Sequence, residues 1–254
     1  MNRTNNEFNF VLAFNNKRVK DLNPLLRFII DDIFDDINEN DIISAWRNHL
    51  KQKTDIFLKI NGIIKGISIK MGNRNSVHVE HISDFCNFLY QLKATKEIVN
   101  SYIKYHYADG TLNGKGIERL SCVQYKKIYQ KEIDSLNKFL NTPQNVSKAI
   151  DRFVIKGNNS NYEIDGVIFG TPNDFLWINK EQIINIIMLK SAYYSSGVHF
   201  SSLVCQPLNR CLNYNNRYSY GRYYVQIKWY TLFDDIIESM SYLYSSKLDN
   251  LGSN

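Results

Sequence analysis

The strongest constraint on the fold of this chain is the segment DIFLKINGIIKGISIK, residues 55–70. Isoleucine and leucine alternate with other residues on both sides of Asn61-Gly62. Alternation with a period of two is typical of a half-buried strand, and Asn-Gly between two such runs is the strongest short-range hairpin signal. The segment therefore predicts two antiparallel strands that are joined at Asn61 and Gly62.

The register of this hairpin brings three polar side chains together. With a two-residue turn, Asp55 lies directly opposite Ser68, and Lys70 projects from the same face two residues later. The opposite face is apolar. A carboxylate can ligate Mg²⁺, which activates water and polarises a phosphoryl oxygen, and a lysine offsets the charge that develops on phosphate. A solvated hairpin face with the same residue types is the alternative interpretation.

The rest of the chain mixes helical and strand periodicity. Helical spacing of apolar residues predicts helices from Pro24, over 39–51, over 76–92 with Ser76 as cap, over 93–106, 125–140 and 181–189, and from 232 onward. Strand patterns cover 162–169, 175–178 and 223–229. The mixture indicates an α/β (α+β) fold. No repeat or low-complexity linker divides the chain, so a single domain over residues 1–254 is expected.

Composition narrows the classes of function. The 254 residues carry a formal net charge of +6 and a pI of about 9.0, which suits a polyanionic partner but also simple solubility. No CxxC pair and no GxxxxGK[ST] motif occur, so neither a zinc site nor a nucleotide cofactor is expected. Without a leader or an apolar run of membrane-spanning length, the chain is expected to be cytoplasmic and to have no membrane partner.

The hairpin resembles the PD-(D/E)XK nuclease motif. In that motif an aspartate near a strand start precedes a hairpin that ends in an acidic residue, any residue and a lysine. Here Asp55 is followed by twelve residues and then by SIK, which ends at Lys70. The flanking GISIKMGNRNSVHVEHI is also similar to that region of bacterial restriction endonucleases. The resemblance covers about residues 39–92. It implies a restriction-endonuclease-like core, a central mixed β-sheet flanked by helices, with Asp55 as a Mg²⁺ ligand and Lys70 as the catalytic lysine.

Two positions depart from the motif. Thr54 replaces the proline, which is often varied, and Ser68 replaces the second acid, although a hydroxyl is a poor Mg²⁺ ligand. Some members of the superfamily carry the missing carboxylate on a neighbouring element. That precedent implies Glu80, on the helix expected after the hairpin, as a second catalytic and metal-binding acid; an ordinary exposed helix residue is the alternative. Glu39 is a further candidate acid, for which an ordinary surface role is favoured.

Two later segments, about 106–120 and 199–229, are predicted to contact DNA. The second interleaves arginine and lysine with tyrosine, asparagine and glutamine. Cations suit phosphates and guanine edges, and amides suit adenine edges. A polar loop followed by an edge strand is the alternative for this segment. Together with the loop after the hairpin, these segments supply the predicted DNA-binding residues Arg74, Asn75, His78, Lys115, Arg119, Gln206, Asn209, Arg210, Arg217 and Arg222.

These features together predict a hydrolase, a Mg²⁺-dependent endonuclease that cleaves double-stranded DNA as a type II enzyme of a restriction system. Such enzymes often act as homodimers, because two-fold sites need two active centres. Two alternatives stay open. One is a structure-selective or RNA-directed nuclease with the same core. The other is a DNA-binding protein with a decayed nuclease centre, which the serine at position 68 favours.

Overall fold

The computed structural model describes residues 3–50, 52–72, 75–116, 118–157, 161–190, 197–208 and 216–240. The chain divides into two compact units. The first unit comprises Met1–Arg74, Val154–Ile186 and Thr231–Asn254, and the second comprises Asn75–Phe153 and Ile187–Tyr230. That both units together form a single nuclease domain stays a prediction.

A six-stranded mixed sheet forms the centre of the first unit. In spatial order its strands are β1 (Lys17–Arg18), β2 (Ile42–Arg47), β3 (Ile56–Ile60), β4 (Ile63–Lys70), β6 (Gly166–Thr171) and β7 (Asp174–Asn179). Neighbouring strands are antiparallel except β4 and β6, which are parallel. Helices α1 (Arg3–Phe14) and α2 (Pro24–Ile33) contact the sheet, and their apolar faces share one core with it. A 3₁₀ turn (Val19–Asp21) and the helical residues 232–240 also belong to this unit.

The β3–β4 hairpin has the predicted register. Ile60 pairs with Ile63 and Ile56 pairs with Ile67, so the turn consists of Asn61 and Gly62. Their φ angles, 49° and 87°, are both positive, as a two-residue type I′ turn requires. Five side chains of the predicted apolar face enter the core of the first unit, namely Ile56, Leu58, Ile60, Ile67 and Ile69. Ile63, next to the turn, is 50% exposed, so the predicted apolar face is confirmed except at that residue.

Replacing Gly62 by alanine is expected to lower the free energy of unfolding by about 1 kcal/mol, because a Cβ disfavours the left-handed conformation. No neighbouring atom of the described residues lies within 4 Å of the position of that Cβ, so the loss is conformational and not steric. Urea unfolding measures it. Gly62→Asn is the matched control and should lose less stability, because asparagine is among the non-glycine residues that adopt this conformation most readily. Equal stability of wild type and Gly62→Ala would contradict the assigned turn.

The second unit contains an antiparallel four-stranded sheet and a helical layer. The strands, in spatial order, are β5 (Ser76–His81), β10 (Tyr224–Trp229), β9 (Leu203–Pro207) and β8 (Val198–Phe200). The helices are α3 (Ile82–Gln91), α4 (Lys96–Tyr107), α5 (Cys122–Ile128), α6 (Gln130–Leu140) and α7 (Pro143–Ile150). A 3₁₀ segment (Asn216–Tyr223) precedes β10. A π-helical turn (Asp151–Lys156) and α8 (Lys180–Leu189) include residues of both units.

Several predicted elements have different bounds or a different type. The helix predicted over 39–51 is wrong, because β2 pairs with β3 there and buries alternate residues. The helix predicted over 76–92 is wrong in its first turn and a half. Residues Ser76–His81 form β5, which pairs with β10, and the cap of α3 is His81 instead of Ser76. The helix predicted over 125–140 is divided at Tyr129 into α5 and α6.

The α/β class is confirmed, with mixed β-structure flanked by helices. The helix over 93–106 and the strands near 166, 175 and 224 occur close to where periodicity predicted them. Among the helices of the described residues, none combines the length and the apolar character that crossing a membrane requires.

Candidate active site

Asp55, Ser68 and Lys70 form a connected group that is here called the hairpin cluster. The Ser68 hydroxyl donates a hydrogen bond to Asp55 Oδ2 at 3.1 Å and accepts one from Lys70 Nζ at 2.9 Å. Lys70 Nζ lies 3.9 Å from the same Asp55 oxygen. The predicted meeting of a carboxylate, a hydroxyl and an ammonium group is therefore present in the first unit.

The backbone holds the Asp55 carboxylate in place. The Ile69 N–H donates to Asp55 Oδ2 at 2.6 Å, and the Asp55 N–H donates to the Ile67 carbonyl, which extends the β3–β4 ladder by one residue. The Asp55 side chain is only 5% exposed and that of Lys70 15%. A largely buried carboxylate that accepts hydrogen bonds and faces a cation has a fixed position, so it can interact strongly with charges that bind or develop nearby.

A glycine next to the cluster allows β4 to approach its neighbours. A Cβ on Gly66 would lie 2.7 Å from the Glu163 carbonyl oxygen and 2.8 Å from Thr54 Oγ1. The Gly66 N–H donates to Asp165 Oδ2 at 2.7 Å, and Lys65 Nζ donates to the other oxygen of that carboxylate at 3.2 Å. The residue before Asp55 is thus held against β4 by a contact that only glycine permits.

The hairpin cluster provides one carboxylate for a metal ion. Within the described part of the chain, no three His, Cys, Asp or Glu side chains converge in the manner of a preformed metal site. Mg²⁺ commonly uses only one or two protein carboxylates, keeps several waters and binds substrate phosphates. The Asp55 carboxylate fits this minimal donor set for Mg²⁺, whereas a closed tetrahedral zinc site would need more ligands than the cluster has.

Glu80 lies on β5 and not on a helix, and it belongs to a buried ion-pair network of the second unit. Arg152 Nη2 is 2.7 Å from Glu80 Oε2, and His78 Nε2 is 3.3 Å from the same oxygen. The Arg152 guanidinium also lies over the Phe88 ring, 5.0 Å from its centroid. Burial alone would raise the pKa of the Glu80 carboxyl, but the nearby His78 ring and the hydrogen bond from Arg152 outweigh it and hold the pKa below its usual value.

The role of Glu80 as a second metal-binding acid stays a prediction, as does that of Glu39. The Glu80 side chain is 0% exposed and already hydrogen-bonded to a cation. Glu39 is 60% exposed and pairs with Arg27 at 2.8 Å. That hydrogen bond is the main reason why the pKa of Glu39 lies below its usual value.

In the second unit, His106 connects the two segments that were predicted to contact DNA. Its Nε2 donates to the Arg222 carbonyl at 2.6 Å, and its own carbonyl accepts from Arg119 Nη2 at 2.6 Å. Burial lowers the pKa of His106 to about 4, so the ring is neutral near pH 7. Beside this connection lies a cleft of about 450 Å³. The residues that line it include Tyr105, Arg119, Leu120, Gln124, Tyr125 and Pro207.

The other predicted DNA-binding residues have varied surroundings. Lys115 is exposed, and the guanidinium of Arg222 lies 5.0 Å from the Tyr223 ring centroid. Gln206 is 6% exposed and its amide contacts Gln226 and Tyr230. The Asn75 carbonyl accepts from the Trp229 N–H, and His78 contacts Glu80. Arg74, Asn209 and Arg210 lie outside the described residues, as does the side chain of Arg217. Whether any of them contacts DNA stays a prediction.

An aromatic stack beside the hairpin cluster was not predicted. Trp46 stacks on Phe57 with ring centroids 5.5 Å apart and an interplanar angle of 30°, and Phe57 meets Tyr162 edge-on at 5.0 Å. The signal was present in the alternation of residues 42–47, which bury Ile43 and Ala45 and expose the residues between them. The apolar residues of this segment also fit helical spacing, which is why the sequence predicts a helix there.

Comparisons with known proteins support the fold. No protein-family model matches the chain, and no curated protein matches its sequence significantly. Among solved structures, restriction endonuclease MspI in complex with its cognate DNA is similar, with a TM-score of 0.55 and 10% sequence identity. The similarity covers 87% of this chain and 87% of that chain. At this identity it establishes the fold alone: the chain has a restriction-endonuclease-like fold, as the resemblance of its hairpin implied.

Proposed function

We propose that this chain is a Mg²⁺-dependent endonuclease that hydrolyses phosphodiester bonds of double-stranded DNA, in the manner of a type II restriction enzyme. The observation that carries the proposal is the hairpin cluster, in which Asp55, Ser68 and Lys70 are linked by contacts of 2.9–3.9 Å. The fold similarity to MspI, a DNA-bound restriction endonuclease, supports it. The net charge of +6 is favourable for a polyanionic substrate.

Each member of the cluster has a distinct role in this proposal. Asp55 would hold the metal ion through its carboxylate. When bound, Mg²⁺ supplies a Lewis acid that polarises a phosphoryl oxygen and lowers the pKa of a coordinated water. Lys70 offsets the negative charge that develops on the phosphate oxygens during attack. Ser68 occupies the place of the second acid of the motif, and its hydroxyl orients both of the other side chains.

The test is DNA cleavage by the purified full chain. Plasmid and phage DNA are incubated with the protein in Mg²⁺ and, as the metal-free arm, in EDTA. We expect discrete fragments with Mg²⁺ and none with EDTA, because Asp55 alone does not activate water. Single-stranded DNA and RNA of the same sequences are included to separate the substrate classes. A measurement of molecular mass in solution tests the homodimer that the resemblance predicts. Cleavage that persists in EDTA would contradict the proposal.

A DNA-binding protein with a decayed nuclease centre is the second candidate. The observation that favours it is the donor set of the described residues, in which the hairpin cluster has one carboxylate and Glu80 is bound to Arg152. In that case the same assay would show no cleavage with Mg²⁺ or Mn²⁺, while DNA binding would be retained and would weaken with salt. Metal-dependent cleavage would exclude this candidate.

A further inference from the structure

We infer that the sheet face beside the hairpin cluster binds unstacked bases of the nucleic-acid strand that is to be cut, through stacking on Trp46 and on Tyr162. The inference rests on the proposed function and names a feature of the substrate for the same site. The aromatic stack comprises Trp46, Phe57 and Tyr162, all of which belong to the first unit.

Strand pairing places this stack on the same face as the cluster. Phe57 follows Asp55 by two residues on one strand, so both side chains project from one face, about 7 Å apart along it. Trp46 is the direct partner of Phe57 in the β2–β3 ladder and therefore shares that face. Asp55 and Ser68 contact each other on it. Phe57, the middle ring of the stack, is therefore the next residue along this face after Asp55 of the hairpin cluster.

The outer rings of the stack are accessible, whereas its middle ring is not. Trp46 is 37% exposed and Tyr162 47%, while Phe57 is 6% exposed beneath them. In the described pairing, β1 pairs with Ile42 and Ile43 of β2, and the part of β2 that carries Trp46 extends beyond it. Single exposed aromatic residues are ordinary on protein surfaces. Here Phe57 fixes two exposed rings in place, which lowers the entropy lost when they bind a ligand.

Two lysines of this face, one of them paired with the Asp55 carboxylate, suit a nucleic-acid strand as the occupant. Lys59 follows Phe57 by two residues and is exposed, and Lys70 belongs to the cluster itself. Rings combined with cations bind single strands, because bases stack on the rings while phosphates pair with the cations. A base inside a duplex has both faces covered by its neighbours. The stack can therefore bind only a base that has left the duplex or was never paired.

The test compares single-stranded and duplex DNA. Fluorescein-labelled oligothymidine and a blunt-ended duplex are titrated in EDTA, which prevents cleavage, and binding is followed by anisotropy. Trp46→Ala is expected to weaken oligothymidine binding about tenfold, since stacking of one base on one ring is worth about that factor. Duplex affinity should not change. Tyr162→Ala should likewise weaken oligothymidine binding and leave duplex binding unchanged. This variant replaces Trp46→Ala in the test if Trp46→Ala does not fold.

Controls separate stacking from general effects. Trp46→Phe keeps a ring and should stay within about threefold of wild type. Tyr90→Ala removes a ring that is 50% exposed on α3 of the second unit and should change neither affinity. Trp177 and Trp229 are 5% and 0% exposed. Oligothymidine should therefore quench the tryptophan fluorescence of wild type and not that of Trp46→Phe.

The outcomes decide the inference independently of the nuclease proposal. If Trp46→Ala loses affinity equally for oligothymidine and for duplex, or loses affinity for neither, the inference is overturned. If wild type still cuts DNA in a metal-dependent way, the proposed function stands without it. If wild type neither binds nor cuts any nucleic acid, both fail together. Selective loss of oligothymidine binding in Trp46→Ala supports the inference whether or not plasmid DNA is cut.

Discussion

Replacing Lys70 by methionine is expected to reduce the rate of DNA cleavage by about two to three orders of magnitude, which is the usual loss when one charge-stabilising donor is removed from an active site. Methionine keeps most of the side-chain volume and removes the ammonium group. Lys70 Nζ is hydrogen-bonded to Ser68 and lies 3.9 Å from Asp55, so its charge is fixed where the proposed reaction develops negative charge. Single-turnover cleavage in Mg²⁺ measures the effect.

Lys59→Met is the matched control for this substitution. Lys59 is an exposed lysine of the neighbouring strand β3, and it projects from the same face as Asp55 at the far side of Phe57. Lys59→Met removes one positive charge from the same face of the sheet, as Lys70→Met does, but leaves the hairpin cluster unchanged. We expect cleavage within a few-fold of wild type and a modest loss of DNA affinity. Equal cleavage rates for wild type and Lys70→Met would remove Lys70 from the mechanism.

Replacing Glu80 by alanine is expected to lower the free energy of unfolding by about 3 kcal/mol or more, because breaking a buried ion pair leaves its cation uncompensated. Arg152 and His78 both contact the Glu80 carboxylate, whose side chain is fully buried. Urea unfolding, followed by far-UV circular dichroism, measures the loss. This expectation concerns the second unit and holds whether or not the chain cuts DNA.

A double substitution separates the structural role of Glu80 from a metal-binding role. Glu80→Leu combined with Arg152→Leu removes both charges, and apolar residues of similar volume commonly restore the stability of such pairs. If Glu80 only supports the second unit, the double variant is stable and retains cleavage. If Glu80 supplies the second acid of the motif, the double variant is stable and inactive. A Glu80→Ala protein as stable as wild type would contradict the network itself.

The same network gives a pH dependence with a definite sign. The pKa of Glu80 is lower in the folded protein than in the unfolded chain, where a glutamate has a pKa of about 4.3. The contribution of the pair is therefore complete above that pH and is lost as the pH falls through the lower, folded value. Glu80→Gln should be less stable than wild type at pH 7 and should lose less stability between pH 5 and pH 3. A parallel decline of both proteins would contradict the assignment.

The sequence by itself determined the hairpin and, with it, the three members of the hairpin cluster. Asn61-Gly62 sets the turn and the alternation of apolar residues sets the face, and both signals lie within one short segment. Register in such a hairpin is a local property, so the contact between Asp55 and Ser68 follows from counting residues. The resemblance to the nuclease motif rested on the same segment, which is why the fold class was also predicted correctly.

Only the tertiary structure decided which partners distant segments would find. The apolar residues of 42–47 and 76–81 fit helical spacing, but these segments form strands because they pair with β3 and β10. A short apolar run can form either a helix or a strand, and its tertiary neighbours determine which. The parallel pairing of Ile67 with Gly166 and the ion pair of Glu80 with Arg152 join residues far apart in the chain. Such contacts depend on the burial of whole elements, and no local pattern encodes them. The aromatic stack of Trp46, Phe57 and Tyr162 has the same origin, because three separate segments supply its rings.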